Sequence, residues 1–95
     1  MPKYQIKEAF SLRVLDNSLS PRLEKGNISV ISRHREPRHG DIVALNLNGG
    51  VLLREYDYDD TRTDKVMYKT NYDHLELYPE DRLSILGVHI GIYFE

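Results

Sequence analysis

Ser18 is the side chain of this sequence best suited to act as a nucleophile. It lies in a polar turn, residues 16–21, between two segments of strand-like pattern. A serine hydroxyl attacks a carbonyl only when a base within hydrogen-bond reach takes its proton. Lys25 and Lys69 are possible bases if the fold brings either of them close, whereas an arginine such as Arg54 keeps its proton in a protein. The simpler interpretation is that Ser18 stabilises the turn, because serine hydroxyls favour local backbone bonds there.

Metal and cofactor chemistry have no comparable signal in the sequence. The four histidines, at positions 34, 39, 74 and 89, do not have the spacing of a metal-ligand set. The chain has no cysteine, which removes disulfides and thiolate chemistry from consideration. We therefore predict neither a metal site nor a cofactor.

Length and composition predict one globular domain over residues 1–95. The chain is 40% hydrophobic and 29% charged, with a net charge of -2, so it lacks the basic excess of a nucleic-acid-binding domain. No apolar run approaches the ~18 residues of a membrane span, and the N-terminus has no signal-peptide core. We expect a cytoplasmic protein that makes no membrane contact.

Strands must position Ser18, because apolar and polar residues alternate along most of the chain. The alternating segments are 10–14, 27–32, 42–47, 51–56, 65–69 and 83–93. Residues 48–50, Asn-Gly-Gly, predict a hairpin turn, since glycine accepts positive φ. Gly87 and Gly91 in the last segment indicate a kink, a bulge or a close backbone approach. Only residues 20–24 look helical, with Ser20 as N-cap and Pro21 as the first helical residue.

The order of these turns resembles the C-terminal domains of LexA-like and phage CI-like repressors, which cut themselves with a serine activated by a lysine. That family has a Gly-x-Ser-Met-x-Pro turn, two Gly-Asp turns, a hairpin carrying the lysine, and a terminal Gly-x-x-x-Gly strand. The corresponding segments here are 16–21, 26–27, 40–41, the hairpin 45–56, the 71–73 segment in place of an Asn-Pro segment, and 87–91. The resemblance implies a mostly β, compact domain of twisted antiparallel sheets and hairpins with one short helical turn.

The departures from the family pattern lie at the catalytic positions. The resemblance puts Ser18 at the nucleophile position and Arg54 at the lysine position, while Asp16 replaces the glycine and Leu19 the methionine. An alignment slip of one residue would offer Leu53 or Glu55, and neither is lysine. Alternatively, Arg54 lies on a solvated strand face. The Ala-Gly or Cys-Gly bond that the family cuts is absent before Ser18, and so is the helix-turn-helix.

Three functions follow as expectations. The first is the regulatory and oligomerisation domain of a phage-type or LexA-like transcriptional repressor without self-cleavage, whose DNA contacts belong to a separate N-terminal domain. The second is an active self-processing peptidase that uses Ser18 with another base. The third is a free-standing partner or antirepressor. The first implies a homodimer or larger homo-oligomer, and the terminal strand offers exposed β surface as a contact: Val88, Ile90, Ile92, Tyr93 and Phe94.

Overall fold

The alternating segments of the sequence form six β-strands. The computed structural model describes residues 8–59, 61 and 65–94. The strands are β1 (Ala9–Arg13), β2 (Ile28–Ser32), β3 (Ile42–Leu47), β4 (Gly50–Tyr58), β5 (Val66–Lys69) and β6 (Leu83–Tyr93). They make one antiparallel sheet in the order β1-β2-β6-β3-β4-β5. The predicted mostly β, antiparallel fold is confirmed, with a single sheet holding all six strands.

The hairpin between β3 and β4 has the predicted turn. Leu47 pairs with Gly50, so Asn48 and Gly49 form a two-residue loop. Both loop residues have positive φ, 53° and 91°, as the twist of a tight hairpin requires. The resulting register pairs Arg54 with Val43 across the two strands.

Strand β6 lies in the middle of the sheet, between β2 and β3. The register shifts once against β2 at Val30/Ile31 and once against β3 at Ala44/Leu45, which marks two bulges or irregularities. A β-carbon on Gly87 would overlap the Ser32 carbonyl oxygen and lie 2.6 Å from Cγ2 of Ile31. The predicted bulge and close backbone approach are therefore confirmed, and the close approach belongs to Gly87.

Two buried clusters form the core, and β3 contributes to both because neighbouring side chains of a strand point to opposite faces. The first cluster brings the turn after β1 onto the sheet and consists of Val14, Leu19, Leu23 and Ile42, with Leu53 and Ile92 against it. The second consists of Val43, Leu45, Tyr68 and Val88, with several half-buried neighbours including Leu52 and Tyr56.

Residues 20–24 form a hydrogen-bonded turn and no helix. The N–H groups of Arg22 and Leu23 both donate to the Leu19 carbonyl, at 3.1 and 3.2 Å. Ser20 does not act as the predicted N-cap, since its hydroxyl donates to the Glu24 carboxylate at 3.0 Å. Full burial of Leu23 holds this segment against the first cluster instead. No helix in the described part of the chain is long and apolar enough to cross a membrane.

Gly87→Ala should lower the free energy of unfolding by about 1–3 kcal/mol, because the new methyl group must displace the β2 backbone. Gly91→Ala is the matched control, since a β-carbon there meets nothing within 4 Å. Urea denaturation followed by circular dichroism measures both variants. Equal stability of the two variants would contradict the close approach of β6 to β2.

Candidate functional site

The turn that carries Ser18 is fixed by bonds within itself and to the next turn. The Ser18 N–H donates to Oδ1 of Asp16 at 3.0 Å, and the Ser20 N–H donates to the Asn17 carbonyl at 3.1 Å. The Asn17 side chain accepts the Lys25 N–H at 2.9 Å, which ties the turn to the start of β2. Leu19, only 7% exposed, anchors it in the first core cluster. Residues before and after Ser18 in the sequence therefore fix its position.

A third tie comes from the segment after β5. The Asn71 N–H donates to the Ser18 carbonyl at 2.8 Å, and its side-chain amide donates to the Ser20 carbonyl at 2.7 Å. Asn71 is the residue that the sequence placed in the Asn-Pro position of the resemblance. Both bonds go to backbone carbonyls of the turn, so Asn71 positions Ser18 through the backbone and not through the hydroxyl.

Ser18 and Arg54 line the same cavity. This cavity has a volume of about 260 Å³ and lies between the end of β1 with its following turn and the middle of β4. Its lining is formed by Leu12, Arg13, Val14, Leu15, Asp16, Ser18, Leu19, Val51, Leu52, Leu53 and Arg54. The fold thus brings together two residues that are far apart in the sequence.

Arg54 is half-buried, so it does not simply lie on a solvated strand face. Its Nη1 group donates to the Leu53 carbonyl at 2.8 Å. Its Nε is buried and has no hydrogen-bond partner among the residues that the structure describes. A guanidinium stays protonated in a protein, so Arg54 supplies positive charge and hydrogen bonds to the cavity but accepts no proton.

Asp16 is the acidic residue in the lining of this cavity. The pKa of its carboxyl lies below the ordinary value of 3.8, first because of the Ser18 N–H bond and then because of the Ser18 hydroxyl. The positive charge of Arg54 lowers this pKa further, while partial desolvation opposes the shift. Asp16 is therefore an ionised carboxylate beside Ser18 and a weak base.

The two lysines considered as alternative bases do not line the cavity. Nζ of Lys69 lies 2.9 Å from Oδ2 of the buried Asp57, whose Oδ1 is 3.1 Å from Nδ1 of His39. Lys25 is exposed and reaches the Ser18 turn through its backbone N–H. Neither lysine is therefore placed to act as a base for Ser18.

The histidines have separate surroundings. Nδ1 of His89 lies 2.6 Å from the hydroxyl of the fully buried Ser29, and burial followed by the charge of Arg22 lowers the pKa of His89. His34 lies 3.7 Å from a Glu8 carboxylate oxygen. Within residues 8–59, 61 and 65–94, no three acidic, histidine or cysteine side chains group as metal ligands would.

The structure divides the residues predicted for the dimer contact. Val88 is fully buried in the second core cluster, and Ile92 packs against the first, because β6 is a central strand. Val88 was wrong as a contact residue, since a fully buried side chain cannot meet a partner, whereas the half-buried Ile92 stays a prediction. Ile90, Tyr93 and Phe94 are exposed by 39%, 57% and 78%, and they remain candidates.

Sequence reasoning did not assign a role to Asp16 or to Asn71. Asp16 was visible only as a replacement for a glycine, yet an Asp two residues before a turn residue often accepts its N–H. That local rule could have identified the Ser18 contact. The two bonds of Asn71 span a long stretch of sequence, and no local signal indicates them.

Comparisons with known proteins agree with this architecture. The model of the Peptidase S24-like family matches residues 2–90. A LexA repressor from Desulfatibacillum aliphaticivorans is 33% identical over 88 residues, which are 90% of this chain and 43% of that repressor. The chain thus spans less than half the length of this relative.

The Asp16 carboxyl should titrate below pH 3.8 in the folded protein, as followed by carboxyl-carbon NMR. Ser18→Ala should raise its midpoint more than Arg54→Met does, because the serine hydroxyl lowers this pKa more than the arginine charge. Since the folded pKa is the lower one, this contribution to stability is present above the unfolded pKa. It is lost as the pH falls through the folded pKa. An unchanged midpoint in Ser18→Ala would contradict the hydroxyl contact.

Proposed function

Because this chain belongs to the Peptidase S24-like family, we propose that it is the regulatory and oligomerisation domain of a LexA-like or phage-type transcriptional repressor that does not cleave itself. The observation that carries the proposal is Arg54 in one cavity with Ser18. A Ser-Lys peptidase needs a neutral amine to take the serine proton, and burial lowers the lysine pKa to provide it. The guanidinium of Arg54 has no such neutral form.

Asp16 is the observation that favours the second candidate, an active self-processing peptidase. Its carboxylate accepts the Ser18 N–H, and the Ser18 hydroxyl lowers its pKa, so it lies close enough to Ser18 to be considered as a base. Its lowered pKa opposes this role, because a general base works best when its pKa lies near the operating pH. We therefore rank self-cleavage through Asp16 below loss of the activity.

Self-association is the role that remains for a repressor domain without cleavage. Holding two DNA-binding domains together raises affinity, because the second one binds at high effective concentration. In the proposal those DNA contacts come from a separate N-terminal domain, and the protein works in the cytoplasm. The exposed end of β6 is the proposed contact, with Ile90, Tyr93 and Phe94 as its apolar side chains.

Arg54→Lys should restore self-cleavage if the lost lysine is the reason for inactivity. The test protein carries an N-terminal extension with an Ala-Gly bond and is incubated at alkaline pH, where a buried lysine loses its proton more readily. Mass spectrometry should detect fragments from Arg54→Lys and none from the unchanged chain.

The control for this experiment is the double variant Arg54→Lys with Ser18→Ala, which should yield no fragments. Fragments from the unchanged chain that disappear in Ser18→Ala alone would establish the peptidase alternative. If the Arg54→Lys variant yields no fragments, the chain lacks more of the catalytic site than the lysine.

Phe94→Glu should weaken self-association by about tenfold or more, since a charge replaces an apolar contact residue. Tyr72→Glu is the matched control, because Phe94 and Tyr72 are both 78% exposed and Tyr72 lies off the terminal strand. Sedimentation velocity over a range of protein concentrations measures both variants. A strictly monomeric unchanged chain at high micromolar concentration would rule out the oligomerisation role.

A further inference from the structure

We propose that the cavity beside Ser18 binds the free C-terminal carboxylate of a peptide whose last residue is apolar. The inference rests on the proposed function in one respect, since an active peptidase would hold an uncleaved peptide bond there. In the inactive site, the same cavity becomes a recognition pocket for a peptide end that already exists.

Arg54 provides the first argument, because the fold leaves part of its guanidinium unused. Nη1 donates to the Leu53 carbonyl, while the buried Nε has no hydrogen-bond partner among the described residues. Buried donors of this kind are rare in native proteins and point to a missing acceptor. A carboxylate is the matching acceptor, since its two oxygens can take parallel bonds from a guanidinium. Since Nε is itself buried, the terminal Nη groups are the ones that bond the carboxylate in this proposal, and the ligand balances the charge of the guanidinium.

The walls of the cavity provide the second argument. Leucine and valine side chains form most of its lining, and two of them lie exposed: Leu15 at 78% and Val51 at 49%. The volume of about 260 Å³ is below the ~300–1,000 Å³ of sites for drug-sized ligands. The space therefore suits one apolar side chain, and a ligand that covers Leu15 and Val51 removes apolar surface from water.

Charge provides the third argument. Two cations, Arg13 and Arg54, line the cavity against one anion, Asp16. The Asp16 carboxylate already accepts the Ser18 N–H at 3.0 Å. The lining is therefore net positive toward an incoming carboxylate, and Asp16 opposes that ligand by like-charge repulsion. A neutral, internal peptide segment would leave the cationic excess unmatched.

The test compares two N-acetylated tetrapeptides that end in leucine, one with a free carboxylate and one with a C-terminal amide. Isothermal titration calorimetry on the unchanged chain should show the acid binding about tenfold more tightly than the amide, because only the acid forms charge-assisted bonds. Arg54→Met should abolish this preference. Arg54→Lys should keep part of it, since an ammonium retains the charge but loses the paired donors.

Asp16→Asn gives a prediction of opposite sign, namely tighter binding of the acid, because it removes the repulsion. Arg35→Met is the control for loss of a positive charge elsewhere, since Arg35 is exposed and does not line the cavity. It should leave the acid-to-amide ratio unchanged. Amide proton-nitrogen NMR spectra establish that each variant is folded before its binding is compared.

Equal affinity for acid and amide, or no binding of the acid up to about 1 mM, would overturn the proposal. Binding of octanoate as tight as that of the peptide acid would overturn the assignment to a peptide end. Failure here is distinguishable from failure of the proposed function. Sedimentation reports self-association, cleavage reports the serine chemistry, and neither depends on the acid-to-amide ratio.

Discussion

Strand β6 is the element on which the rest of the structure depends, because it joins two halves of the sheet. It pairs with β2 on one side and with β3 on the other. Gly87 allows this closeness, since any side chain there would overlap the backbone of β2. The Ser18 turn connects β1 and β2 in one half, and Arg54 belongs to β4 in the other. The cavity between them exists only because β6 holds the halves in register.

The chemistry of that cavity depends on which residues β4 contributes to its lining. A lysine in this place can lose its proton when buried, and the resulting amine is a base. Arg54 has similar reach but stays protonated, so it supplies the cavity with a fixed positive charge. Asp16 responds to this charge and to Ser18 by remaining ionised. The carboxylate beside Ser18 thus has little tendency to take a proton.

The central position of β6 also constrains how copies of the chain can meet. β6 pairs with β3 over residues 83–88 and with β2 over residues 88–93, so each of its edges is paired within the sheet over only about half of the strand. The apolar side chains at its far end also remain exposed. The full burial that removes Val88 from a contact makes it part of the second core cluster, while the half-buried Ile92 packs against the first.

The sequence by itself determined the strands, the tight hairpin and the family resemblance. Alternation, the Asn-Gly pair and the order of the turns are local signals, and each reports backbone geometry within a few residues. That residue 54 is an arginine also needs no coordinates, whereas its correspondence to the family lysine comes from the resemblance alone. Only the tertiary structure decided that Ser18 and Arg54 share a cavity, that Asn71 ties the turn down, and that β6 is central. These facts depend on strand order and on contacts between distant segments, and local side-chain patterns do not encode which strands become neighbours.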